Sequence, residues 1–129
     1  MGKDKIKRFN ENKTFDNVVQ PTRDEAINNF ALKGNWNKEF FKNDNPIVLE
    51  LGCGKGEYTV AMARRDKDRN FIGVDIKGAR FWRGAKTCLD EGIDNAGFLR
   101  TQIEIIDNLF AENEISEIWI TFPDPQIKF

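Results

Sequence analysis

The sequence predicts an α/β fold built on a doubly wound parallel sheet, and three observations carry that prediction. Short apolar runs alternate with helical stripes, β-α-β-α-β-α-β, over most of the chain. The links between them are short, as right-handed crossovers in one sheet demand. The first run, Ile47 to Leu51, leads straight into Gly52, Gly54 and Gly56, which favours an open sheet with a ligand crevice over a barrel. At 129 residues the chain is one domain or part of one.

Residues 1 to about 20 are polar and are expected to be irregular. Lys3, Lys5, Lys7, Arg8 and Lys13 stand there against Asp4 and Glu11. A solvated, frayed terminus accounts for such a segment, and so does a basic arm that touches phosphates. Next, NWNKEFFK reads as one or two helical turns with Trp36, Phe40 and Phe41 on one side, and Asn43 to Pro46 breaks it. Ile47 to Leu51 is apolar except for Glu50 and fits a strand buried on both faces. Glu57 to Arg65 follows as a helix, with Tyr58, Ala61, Met62 and Arg65 spaced by three and four. Phe71 to Asp75 is a second buried strand that ends on an acid. Lys77 to Glu91 is a helix with Phe81, Trp82, Ala85, Cys88 and Leu89 as its stripe, and Gly92 stops it. Ala96 to Arg100 is the third strand. Ile103 to Ala111 is the third helix, with Ile103, Ile106, Leu109 and Phe110 inward, and Glu117 to Phe122 is the fourth strand.

Composition removes several classes. The net charge of −1 argues against a polyelectrolyte that binds nucleic acid along its whole surface. No apolar run approaches the ~20 residues of a membrane span, and no signal-peptide core is present. Cys53 and Cys88 have no metal-like spacing and suit a reduced, cytoplasmic protein. There is no histidine, hence neither the commonest general base nor the commonest metal ligand.

The glycine loop carries the chemistry. Glycine at a strand-to-helix turn permits positive φ and lets a ligand lie on bare backbone, although a tight turn with no ligand uses the same residues. Two details narrow the choice. The spacing is G-x-G-x-G, not the G-x-G-x-x-G of dinucleotide enzymes. Glu50, two residues ahead of Gly52, would repel a pyrophosphate and attract an ammonium or a sulfonium. Asp75, nineteen residues after Gly56, stands where a carboxylate accepts ribose hydroxyls. Together these describe a nucleoside with a cationic amino-acid tail, and S-adenosylmethionine fits better than NAD.

VLELGCGKGEYTVAMARRDKDRNFIGVDIKGAR, with FLRTQIEII and IWITFPDP after it, resembles the bacterial tRNA (guanine-N7-)-methyltransferase family, a set of class I, Rossmann-like methyltransferases. The likeness runs from about residue 34 to the end, so residues 34–129 read as a donor-binding part and residues 1–33 as a basic, irregular segment. The resemblance implies methyl transfer from S-adenosylmethionine to N7 of a guanine in tRNA. It implies Glu50, Asp75 and Gln102 as donor-binding positions, with Gly52, Gly54, Gly56, Ile76 and Thr101 around them. Gln102 departs from the usual Asp or Asn. Asp124, in FPDP, matches an acid at the junction of the donor and guanine pockets, and Lys128 falls where the family has a substrate-contacting lysine. PDPQIKF departs from the usual PDPWPK continuation. Members of the family run well past this length, so the chain is expected to hold the donor half.

The expected strand order is 3-2-1-4, which brings the glycine loop and FPDP to one crevice. N7 of guanine has a lone pair and no proton, so no general base is required there, which suits a chain without histidine. Asp124 is the expected catalytic acid residue; it either holds the guanine through N1–H and its amine or stabilises the cationic product. Phe122 serves stacking or core equally well. Lys77, Arg80 and Arg83 serve as an RNA-facing or merely solvated face, and Cys53 is read as a filler. No metal and no membrane are expected. Self-association through the apolar edge IWITF is expected. The alternatives are a non-catalytic fragment or interaction module, and an NAD-type nucleotide module.

Overall fold

The computed structural model describes residues 2–120. Five strands form one all-parallel sheet: β1 (Val18–Val19), β2 (Ile47–Leu51), β3 (Asn70–Asp75), β4 (Ala96–Arg100) and β5 (Glu117–Ile120). Their order is β1-β4-β3-β2-β5. The four anticipated strands therefore lie in the expected 3-2-1-4 order, and β1 adds a short fifth strand beyond β4. Residues 121 and 122, the expected end of the fourth strand, lie outside the described residues, as do Asp124 and Lys128.

Strand alternation divides the core into two layers. Val48, Phe71 and Phe98 face α3 (Glu57–Arg65) and α4 (Gly78–Glu91), where they meet Val60, Ala63, Phe81, Ala85 and Cys88. Ile47, Leu49, Ile72, Val74 and Leu99 face the other side, where Trp36, Phe41, Leu109 and Phe110 cover them. That second cover has little regular helix. Trp36–Phe41 is a single π-helical turn closed by left-handed Lys42, and Ile103–Asn108 is a 3-10 helix. Trp36 fills the layer by shape. Its ring stacks on Phe110 at 5.1 Å, meets Phe40 edge-on at 5.3 Å, and its Nε1 donates to the Leu109 carbonyl at 3.0 Å. The Glu114 carboxylate accepts from the N–H groups of Gly34, Trp36 and Ala111 and so ties this cover together.

Several expectations need correction. The N-terminal segment is not irregular throughout: Gly2–Asn12 is a helix, α1, and Val18–Val19 is β1. The anchors are polar. Asn12 Nδ2 donates to the Gly78 carbonyl at 2.9 Å, Asn17 Nδ2 donates to that of Ala85 at 3.0 Å, and Trp82 Nε1 donates to Glu11 at 2.8 Å. Beyond β1, α2 (Arg23–Asn28) starts with a capping box between Thr22 and Glu25. In α3 the inner face is Thr59, Val60 and Ala63, one position out of phase with the expected stripe, and Tyr58 is exposed. The glycine loop, rather than hydropathy, sets that rotation, because it fixes where the first turn begins. Leu89 is exposed on α4, and Trp82 is half-buried beneath α1 rather than in the core. The expected third helix is the 3-10 helix, whose three-residue turn leaves Ile103 exposed while Leu109 and Phe110 remain inward.

Candidate donor site

The glycine loop sits at the carboxyl end of β2 and feeds α3. Gly52, Gly54 and Gly56 have φ of 72, 57 and 80°. At Gly56 a side chain is excluded twice over: the backbone is left-handed, and a Cβ would lie 2.7 Å from the Phe98 ring. At Gly52 a Cβ would meet nothing within 4 Å, so the loop backbone is open to a ligand there.

The loop's N–H groups are mostly spent inside the protein. Gly52 and Cys53 both donate to the Val74 carbonyl, at 2.8 and 2.9 Å, and Gly56 donates to that of Cys53 at 2.9 Å. Gly54 donates to Asp75 Oδ2 at 2.9 Å. A phosphate cradle works the opposite way, with its amides converging on the anion. The loop therefore offers close approach rather than a nest of donors, and this separates it from a pyrophosphate-binding turn.

Two buried carboxylates flank the loop. Glu50 is 2% exposed, and its Oε1 accepts from the Thr59 hydroxyl at 2.5 Å. Its cross-strand partner is Gly73, where a Cβ would come within 2.9 Å of that hydroxyl. The missing side chain thus gives the Glu50–Thr59 pair its space. Asp75 also accepts from the Lys77 N–H at 2.9 Å, through Oδ1. Each Asp75 oxygen holds one N–H and keeps lone-pair capacity for one more donor. Cys53 is buried between these acids. Burial first, then the Glu50 and Asp75 charges, push its thiol well above the usual range, so it stays protonated and acts as a filler.

A crevice of about 670 Å³ opens over the loop. Glu50, Gly52 and Gly54 line it, with Tyr58, Arg80 and Trp119. Asp75 and Gly56 are not among its lining; Asp75 is tied to the lining residue Gly54 by a hydrogen bond, and Gly56 is buried where the loop enters α3. Ile76 lies in a second, adjoining groove. Thr101 is buried, and its N–H donates to the Asp75 carbonyl at 3.2 Å. Gln102 is exposed, and its Oε1 accepts from Arg23 at 2.8 Å, so its amide oxygen is engaged with α2. Sequence reasoning missed Thr59, Tyr58 and Trp119. A hydroxyl nine residues after a buried acid was the available signal for Thr59; the Tyr58–Trp119 edge contact at 6.1 Å had none.

Among the described residues no three His, Cys, Asp or Glu side chains gather as a metal site needs. No helix there is long and apolar enough to cross a membrane.

Residues 44–129 match the family model described as "Putative methyltransferase". A tRNA (guanine-N(7)-)-methyltransferase of Christiangramia forsetii is 69% identical over 98% of this chain and 57% of its own length. One from Bacteroides fragilis is 58% identical over 99% of this chain and 51% of its own length. The chain thus spans about half the length of these curated relatives. A solved antibiotic-related methyltransferase shares the fold, with a TM-score of 0.61 at 19% identity over 77% of this chain and 51% of that one.

Proposed function

The chain belongs to the methyltransferase family whose model spans residues 44–129, and from that premise we propose that it forms the donor-binding part of a cytoplasmic enzyme that methylates N7 of a guanine in tRNA. The donor in this reading is S-adenosylmethionine, which supplies an electrophilic methyl group on a sulfonium. The observation that carries the proposal is the pair of buried carboxylates, Glu50 and Asp75, on either side of a glycine loop most of whose amides are already paired. Such a site favours a cationic nucleoside over a dinucleotide. The relatives' names support a tRNA guanine as the acceptor in this reading.

In this reading Glu50, held by Thr59, balances the positive end of the donor. Asp75 accepts ribose hydroxyls with its remaining lone pairs. Gly52 and Gly54 let the donor lie against the loop, Thr101 and Gln102 border the adenine, and Ile76 packs beside it. Gln102 must release or share its amide oxygen with Arg23, or present its amide nitrogen. Transfer to N7 needs alignment more than proton movement. Asp124 holds the guanine or offsets its new positive charge, and Lys128 contacts the substrate; both residues lie outside those described.

The test is calorimetry with S-adenosylhomocysteine, followed by assay of N7-methylguanosine on unmodified tRNA. Heat and product together support the reading. No heat at a large excess, or stabilisation by NADH instead, overturns it. Donor binding without turnover would favour a non-catalytic module.

A further inference from the structure

We propose that the groove between α1 and the first turns of α4 holds the phosphate backbone of RNA beside the donor crevice, with α1 as one wall. This deepens the tRNA reading above and rests on it for the identity of the polyanion.

The groove has a volume of about 1070 Å³. Helix α1 contributes Lys5 and Arg8, and the start of α4 contributes Lys77, Arg80 and Arg83. Lys55 comes from the glycine loop and Arg100 from the end of β4. Among the described residues of the lining, Asp4 and Glu57 are the acids that oppose these cations. The chain as a whole carries −1, so positive charge is concentrated here. The salt bridges among the described residues lie elsewhere, on Arg64, Arg69 and Lys86. Among the described residues, then, no salt bridge ties up a groove cation.

Several of them are held in place by aromatic rings. The guanidinium of Arg8 lies 4.7 Å from the Trp82 ring centroid and that of Arg83 at 5.7 Å, which fixes both without removing their charge. Arg100 lies 5.9 Å from the ring of Phe9. Phe9, Ile6 and Ile76 are all exposed along the groove. Cations interleaved with exposed apolar faces suit unstacked nucleotides, which bring both phosphates and flat bases.

Two features favour RNA over an anionic lipid surface. The charge lines a concavity, whereas a bilayer meets a convex or flat face. The groove is also continuous with the donor crevice, because Lys55, Glu57 and Arg80 line both. A strand lying in the groove would thus pass beside the site of methyl transfer. Helix α1 lies outside the residues matched to the family model, so the proposal gives the N-terminal segment a recruiting role.

The experiment compares the protein with a Lys5→Gln/Arg8→Gln/Arg83→Gln variant. It measures fluorescence anisotropy of an unmodified tRNA transcript across a salt series, and calorimetry with S-adenosylhomocysteine. The variant is expected to lose about tenfold or more in RNA affinity, and its log K against log salt slope to fall by about two, while donor heat is unchanged. Because Arg8 and Arg83 pack on Trp82, Lys5→Glu provides a second variant at an exposed position, with a smaller loss expected. Unchanged affinity and slope in both variants overturn the proposal, as does absence of RNA binding by the parent protein. Stronger binding to phosphatidylserine vesicles than to RNA, sensitive to the same substitutions, also overturns it. Loss of RNA affinity with no N7-methylguanosine from the parent leaves the groove standing and sinks the methylation reading. Methylation by the variants at the parent's KM for tRNA does the reverse.

Discussion

The two faces of the sheet are covered by different means. On one face α3 and α4 lay regular helices over Val48, Phe71 and Phe98. On the other, a π-helical turn, a 3-10 helix and an aromatic cluster around Trp36 cover Ile47, Leu49, Ile72 and Leu99. The regular face carries the glycine loop and both acids. The irregular face is a structural backing whose fit depends on ring shape. A helix distributes its packing over many positions, whereas an aromatic cover concentrates it in a few, so single substitutions should have very different effects on the two sides.

The largest expected effect is Trp36→Ala. Removing this buried ring and its Leu109 hydrogen bond should cost roughly 3–5 kcal/mol in urea unfolding. A cost within that of an ordinary surface change would break the contrast. On the opposite face, Gly56→Ala forces a side chain into left-handed backbone and against Phe98. It should cost about 1–3 kcal/mol and also weaken S-adenosylhomocysteine binding by calorimetry, a readout that Trp36→Ala should move only through global unfolding. Thr59→Val sharpens the point further. It keeps shape but removes the hydroxyl that serves Glu50, with an expected loss of about 1–2 kcal/mol and an altered donor affinity. The smallest effect concerns pH. Burial raises the Cys88 thiol to about 11 from an ordinary 9. The folded state therefore holds its proton longer than the unfolded one, and stability present below pH 9 should be lost as pH rises toward 11. Cys88→Ala should flatten that part of a melting-temperature profile.

A separate proposal concerns β5. Ile118, Trp119 and Ile120 are exposed on the strand that borders the sheet among the described residues, and we propose that this strand mediates self-association. Light scattering should show a mass that rises with protein concentration, and Ile118→Lys/Ile120→Lys should hold it at one chain. A constant monomer mass for the parent chain would reject the idea.

The regular face was largely legible in the sequence. Parallel strands buried on both sides give continuous apolar runs, and the glycine loop with Glu50 and Asp75 needs particular residue types at particular spacings. The order of the four main strands followed from the same pattern. Helix α1 and the strand after it were not legible because their anchors, Asn12 and Asn17, are polar residues that become buried by bonding to carbonyls of α4. Hydropathy counts such residues as solvent-facing. The phase of α3 was missed because its start is dictated by the loop, and Ile103 because a 3-10 turn has a different period from an α-helix. Thr59 could be placed only by knowing that Gly73 stands across from Glu50.

The Phe98 ring lies within 3.1 Å of the Cβ positions that Gly56, Gly73 and Gly84 do not have. Those glycines belong to the donor loop, β3 and α4, so one side chain on β4 gauges the clearance of three neighbours at once. Changing that gauge transmits displacement to the ligand-facing turn without touching it: a wider ring would prise the turn outward, while Phe98→Leu would leave it slack. Affinity for the donor should then respond to a residue that never meets it.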